Sequence, residues 1–103
     1  SNSNIVLIRI FGKHFKTIEK ILLLSQQVKS FSVAIDKLKP PIFFKDKSFF
    51  LYQCKLWSYK KVSLIQKRLI NLEIKTKTGL YPEKTLLSQF ILSVSLLAKK
   101  AKT

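Results

Sequence analysis

The side chains that could carry catalysis or bind a metal are few and scattered along this chain. It has one histidine, His14, one cysteine, Cys54, and five carboxylates, of which no two stand three or four positions apart. A nucleophilic triad or a metal site needs several such side chains that converge. We therefore expect no catalytic residue and no metal site, with His14 at the edge of the core and Cys54 as a half-buried structural thiol.

A nucleotide cofactor is not expected either. The Gly12-Lys13 pair resembles the end of a phosphate-binding loop, but no glycine stands five residues upstream and the next residue is His14 rather than Ser or Thr. Gly12 and Gly79 are the only glycines in the chain, and two glycines cannot form a glycine-rich cradle.

Two basic segments remain of interest. In residues 39–47, two aromatic residues precede Lys45 and Lys47, an arrangement that can stack on a base and contact phosphate; the alternative is a hydrophobic staple with solvated lysines. In residues 75–79, lysines and hydroxyls at a helix end can bind phosphate oxygens. The alternative there is a plain helix C-cap, where lysine is already favoured by the helix dipole.

The elements that position these segments are predicted to be helical. Apolar residues spaced three and four apart predict helices over 4–29, 31–38, 59–78 and 82 to about 100. A further helix is predicted to begin at Asp46 or Ser48 and to run to Ser58. Asn4, Ser30 or Ser32, and Ser58 are the expected N-caps, and Gly79 is the expected left-handed C-cap. The expected inward-facing residues include Leu7, Phe11, Phe15, Ile18, Leu22, Val28, Val33, Ala34, Ile35, Leu38, Phe49, Phe50, Leu51, Leu56, Trp57, Val62, Ile65, Leu69, Leu72, Leu87, Phe90, Ile91, Val94, Leu97 and Ala98.

Length and charge limit the function. The chain has 103 residues, with 20 lysines and arginines against five acids, for a net charge of +15. We expect one all-α domain over residues 1–103, a five-helix bundle and the C-terminal fragment of a longer protein, with residues 1–3 as a tag remnant or linker; a large multi-domain enzyme is excluded. Nearly all the positive charge is lysine, which attracts phosphate without reading sequence.

Three stretches in order carry a family resemblance: Lys39–Lys45 (KPPIFFK), Leu56–Ser58 (LWS) and Leu72–Leu80 (LEIKTKTGL). With them the chain, from about Ile5 to Leu97, resembles the C-terminal domain of the delta subunit of bacterial DNA polymerase III, in its alphaproteobacterial branch. The resemblance implies a helical collar domain of the sliding-clamp loader. It also implies a subunit that neither binds nor hydrolyses ATP, and a fragment that does not itself open the clamp.

The resemblance further implies the partners and the site. The partners would be the C-terminal domains of the gamma/tau and delta prime subunits, together with primer-template DNA, in the bacterial cytoplasm. Phe44 would retain a stacking role, and Thr78 stands near a position where some members carry tyrosine, so it could not act as an aromatic wedge. By charge and placement, the expected phosphate contacts are Lys45, Lys47, Lys75 and Lys77.

Alternatives of other classes stay open. A free-standing basic helical protein could bind nucleic acid directly. Peripheral attachment to anionic membranes is less favoured, because the apolar helix faces are needed for a core. The isolated domain is expected to be a monomer that associates weakly until several subunits close a ring.

Overall fold

The computed structural model describes residues 2–80 and 82–101, and the side chains of all of these except residues 2, 3, 83, 100 and 101. Five α-helices and no strand occur in this described part, which confirms the predicted all-α five-helix fold. The helices are α1 (Asn2–Val28), α2 (Phe31–Asp36), α3 (Lys47–Leu56), α4 (Tyr59–Thr78) and α5 (Glu83–Ala101), with a 3-10 turn at Phe44–Asp46.

The long helix α1 is the centre of the bundle. It packs along α4 on one side and against α2 and α3 on the other, while α5 packs mainly on α4. Ile18, Ile21, Val62 and Ile65 are the fully buried large side chains, so the core is deepest between α1 and α4. Phe11 of α1 meets an aromatic ring of α5 at 5.7 Å between ring centroids. α5 is therefore an edge helix with less of its surface covered than α1.

The helix ends form where the sequence supplies capping residues. The Ser30 hydroxyl accepts the Val33 N–H at 3.2 Å, and the Ser58 hydroxyl accepts the Lys61 N–H at the same distance. Gly79 closes α4 in the left-handed conformation, with φ 69°. These three caps confirm the predicted start of α2 and both predicted ends of α4. The end of α2 was predicted at residue 38 and lies at Asp36.

The only tryptophan seals the junction between α3 and α4. Trp57 is 5% exposed and meets the Phe15 ring edge-on, with 5.4 Å between centroids. Its indole N–H donates to the Gln53 side-chain oxygen at 3.1 Å, so the polar end of the ring has a partner. Trp57 therefore ties the end of α3 to α1.

Several predictions of helix starts and of inward-facing residues were wrong. Asn4 lies inside α1 rather than capping it. Pro82 precedes α5, and its carbonyl accepts the Leu86 N–H at 3.2 Å. Four residues expected to face inward are instead more than one-third exposed: Leu7, Val33, Phe49 and Ile91. Three core residues were not expected to be buried, Ile8, Ile21 and Leu86, and Cys54, which was expected to be half-buried, is only 2% exposed. α1 and α5 carry apolar residues around more of their circumference than their neighbours cover, so periodicity alone leaves the inward face ambiguous.

Candidate functional site

The two side chains with nucleophilic chemistry, His14 and Cys54, are both at least partly buried. His14 lies among phenylalanine rings, with centroids 5.5 Å from Phe50 and 5.6 Å from Phe49, and burial lowers the pKa of His14 although a hydrogen bond to Gln53 opposes the shift. Burial raises the pKa of the Cys54 thiol to about 11, so at neutral pH it stays protonated. No group of three or more metal-ligating side chains occurs within residues 2–80 and 82–101.

The aromatic pair before α3 points away from the core. Phe44 is 75% exposed and Phe43 is 58% exposed, and their rings lie 4.9 Å apart with a tilt of 55°. The Asp46 N–H donates to the Phe43 carbonyl at 2.9 Å, which forms the turn that presents both rings. The expected contact residue Phe44 thus has an open ring face, and it does not act as a hydrophobic staple buried against α3.

The two lysines beside this pair differ in availability. Lys45 is exposed and, among the described residues, makes no ion pair. The Lys47 ammonium instead donates to both carboxylate oxygens of Asp36, at 2.9 and 3.0 Å, and so links α3 to α2. A phosphate that binds Lys47 would have to compete with Asp36, whereas Lys45 is free to make that contact.

Two lysines near the C-terminal end of α4 have different surroundings. Lys77 pairs with Glu73 at 2.9 Å, and this hydrogen bond is the main reason why the pKa of Glu73 is lowered. Lys75 instead lines a cleft of about 210 Å³ between α4 and α5 together with Arg68. Thr78 donates its hydroxyl proton to the Lys75 carbonyl at 2.8 Å, so this hydroxyl is engaged in ending the helix.

The two candidate segments line different grooves. Residues 39–43 share a groove with Lys13, Lys16 and Lys20 of α1. Glu73, near the end of α4, instead lines a groove with Ile8 and Arg9, nearer the start of α1. Lys13 and Lys16 line both grooves, so the two grooves adjoin along α1, but neither groove is lined by both candidate segments.

Two surfaces were missed by the sequence-based interpretation. One is the row of lysines at 13, 16 and 20, whose spacing of three and four places them on one face of α1. The other is the outer face of α5, where Ile91, Leu92 and Leu96 are 48%, 60% and 51% exposed. The first surface could have been found from its helical spacing. The second could not, because the same apolar pattern predicts either a core face or an interface.

The outer face of α5 adjoins a polar contact that fixes the helix. Arg68 of α4 donates a hydrogen bond to the Ser93 hydroxyl, and both residues line a hollow of about 330 Å³ with Leu92 and Leu96. We call Ile91, Leu92 and Leu96 the α5 apolar face. Within the described part of the chain, this face has no covering element.

Comparisons with models of known protein families, with curated proteins and with solved structures give no match for this chain. Of the helices in the described residues, none is long and apolar enough to cross a membrane.

Proposed function

We propose that this chain is a non-catalytic oligomerisation domain, the collar domain of the delta subunit of a bacterial DNA polymerase III clamp loader. The three stretches that carry the resemblance support this proposal by their placement. Lys39–Lys45 forms the exposed loop before α3, Leu56–Ser58 is the junction between α3 and α4, and Leu72–Leu80 is the end of α4. In this role the chain belongs to the DNA polymerase III holoenzyme of the bacterial cytoplasm and uses no cofactor.

The α5 apolar face is the observation that carries the proposal. Leu92 and Leu96 stand one helical turn apart and are both more than half exposed. Burial of the area that remains exposed on each leucine would supply about 1–1.5 kcal/mol, roughly half of the value for a fully exposed side chain. Polar residues border these leucines, including Gln89 and Ser95. An apolar centre with a polar rim is the usual composition of a protein interface.

The partners in this proposal are the C-terminal domains of the gamma/tau and delta prime subunits. The test is size-exclusion chromatography with light scattering on this domain mixed with those two domains from the same organism. We expect a defined hetero-oligomer that contains one copy of this chain, and a monomer when the chain is alone. A stable homo-oligomer at micromolar concentration, or no hetero-oligomer from folded domains, would contradict the proposal.

A paired substitution identifies the interface. Leu92→Lys with Leu96→Lys should abolish the hetero-oligomer while the monomer keeps its helical circular dichroism, because both side chains are exposed in the free domain. The matched control is Ile70→Lys with Ile74→Lys on α4, which are also four residues apart and are 61% and 56% exposed. We expect the control to form the complex, and equal loss by both pairs would contradict the assignment of the interface to α5.

DNA contact is the secondary part of the proposal. Phe44 and Lys45 have the exposure needed for stacking and for a phosphate contact. Lys47 and Lys77 would have to break their ion pairs with Asp36 and Glu73 before they could contact a phosphate. Primer-template binding by the assembled complex should therefore weaken more for Lys45→Gln than for Lys77→Gln.

The second candidate function is a free-standing module that binds nucleic acid. The net charge of +15 and the lysine row on α1 favour it. It predicts that the logarithm of the affinity for duplex DNA falls with the logarithm of salt concentration at a slope of about −0.9 per phosphate contacted. A slope of several units for the isolated domain would support this candidate, and a slope near −1 or shallower would exclude it.

A further inference from the structure

A groove between α1 and the loop before α3 is lined by lysines around an apolar floor. Its volume is about 390 Å³. Its floor contains Leu38, which is buried, and Ile42 and Phe50, which are half-buried. Exposed prolines at 40 and 41 and the exposed ring of Phe43 form one wall. The groove is a surface with uncovered apolar area rather than a gap in the core.

Four lysines surround this floor. Lys13, Lys16 and Lys20 lie on α1 and Lys39 lies on the loop, and all four are exposed. Among the described residues, none of the four makes an ion pair, and Asp46 is the only acidic residue that lines the groove. The groove therefore has four lysines against one carboxylate, an excess of three positive charges above an apolar floor.

The loop also offers backbone hydrogen-bonding groups that the fold leaves unused. Within the described part of the chain, the backbone of residues 39–42 makes no hydrogen bond to another protein group. Pro40 and Pro41 have no N–H, so this stretch presents four carbonyl acceptors but only two donors. Its natural complement is a chain that supplies N–H donors.

We propose that this groove, which we call the lysine groove, binds an extended acidic peptide from a protein partner. Along α1, Lys16 and Lys20 are separated by about 6 Å. Alternate side chains of an extended peptide lie about 7 Å apart on one side of the chain, so two carboxylates can meet these two lysines. The intervening side chains point to the opposite side, where the apolar floor receives them, while the peptide N–H groups face the loop carbonyls.

A nucleic acid fits these features less well. A phosphodiester backbone has acceptors only, so it cannot pair with the carbonyls of residues 39–42, and only the bases could supply donors to them. The floor consists of prolyl, aliphatic and phenylalanine side chains, and the Phe43 and Phe44 rings are tilted by 55°, so they do not present one flat platform for stacked bases. The lysine groove is also distinct from the α5 apolar face, and this inference does not depend on clamp-loader assembly.

Fluorescence anisotropy with labelled probes tests the proposal on the isolated chain. The main probe is an eight-residue peptide of alternating aspartate and leucine. The comparison probes are an eight-residue aspartate and serine peptide, the aspartate and leucine peptide with N-methylated leucines, and single-stranded oligothymidylate of matched charge. We expect the first peptide to bind most tightly, since only it supplies carboxylates, apolar side chains and all N–H donors.

Variants locate the binding surface. Lys16→Gln with Lys20→Gln should weaken the aspartate and leucine peptide about fivefold, because each of these lysines meets one carboxylate in an exposed ion pair. Phe43→Ser should weaken it as well, and should not weaken the serine-containing peptide. The control, Lys60→Gln with Lys67→Gln, removes the same charge from exposed positions of α4 and should leave the affinity unchanged.

Three outcomes would overturn the proposal. Equal binding of the leucine and serine peptides would reduce the groove to unspecific charge attraction. Equal loss for the groove and control lysine pairs would remove the site from the groove. Tighter binding of the oligothymidylate, with loss in the groove variants, would assign the groove to single-stranded nucleic acid instead. None of these outcomes bears on hetero-oligomer formation through α5, so the two proposals fail separately.

Discussion

Replacing each of the two glycines with alanine should change stability in opposite directions. Gly12 lies inside α1 and Gly79 ends α4 at φ 69°, and an added methyl group meets no atom within 4 Å at either position. Packing therefore contributes nothing to the difference. Alanine also restricts the unfolded chain equally at both sites, so this contribution cancels when the two variants are compared.

The magnitudes follow from backbone conformation alone. Within a helix, alanine is more favourable than glycine by about 0.5–1 kcal/mol, so Gly12→Ala should stabilise the domain by about that much. The left-handed conformation costs an alanine about 1–2 kcal/mol, so Gly79→Ala should destabilise by about 1 kcal/mol after the unfolded-state gain. The two variants should differ by about 2 kcal/mol in unfolding free energy.

Urea denaturation followed by far-ultraviolet circular dichroism measures this difference. For a denaturant slope of about 1.5 kcal/mol per molar, the midpoints should separate by more than about 1 M, with the wild type between them. Gly79→Asn is the control, because asparagine tolerates the left-handed region, and it should lose less stability than Gly79→Ala. Shifts of the same sign for both alanine variants would refute the assignment of Gly79 as a left-handed cap.

Three further predictions concern single side chains. Ser58→Ala should lower the unfolding free energy, measured by urea denaturation, by about 1 kcal/mol because it removes the N-cap of α4. Ser58→Asp should retain most of this unfolding free energy, because aspartate also caps helices. Because the folded pKa of His14 lies below 6.5, protonation favours the unfolded chain, so the unfolding free energy should decrease as pH falls from about 7.5 to 5.5. His14→Gln should flatten this pH dependence, and an unchanged pH profile would contradict its assignment to His14. Cys54, which is 2% exposed with a pKa of about 11, should resist alkylation by iodoacetamide at pH 8 until urea unfolds the chain; rapid alkylation of the folded protein would contradict its burial.

The helix α4 was predictable because several local signals agree. Ser58, Gly79 and the apolar residues between them specify the start, the end and the inward face, and the structure has the helix at Tyr59–Thr78 as predicted. In α1 the signals conflict: Leu7 and Ile8 are adjacent apolar residues, and only the arrangement of neighbouring helices decides that Ile8 is buried. Periodicity identifies a helix more reliably than it identifies which of two apolar faces is covered.

The candidate surfaces were predictable only in part. The exposed loop with Phe44 and Lys45 could be found in the sequence, because both residues lie in one short segment with a clear turn signal. The lysine groove could not, since it joins Lys20 to residues 39–43 through the docking of the loop on α1. Similarly, no local signal shows that Lys47 pairs with Asp36, 11 residues earlier, and is thereby less available to a phosphate.

The fluorescence of Trp57 reports on the junction of α3 and α4 but not on α5. As the only tryptophan, buried against Phe15 at the junction of α3 and α4, it should emit at short wavelength while that junction is intact and shift to the red when water enters. α5 lies at the edge of the bundle and packs mainly on α4, so its detachment would leave this emission largely unchanged. If circular dichroism and tryptophan emission follow separate unfolding curves, α5 leaves the bundle before the rest of it melts.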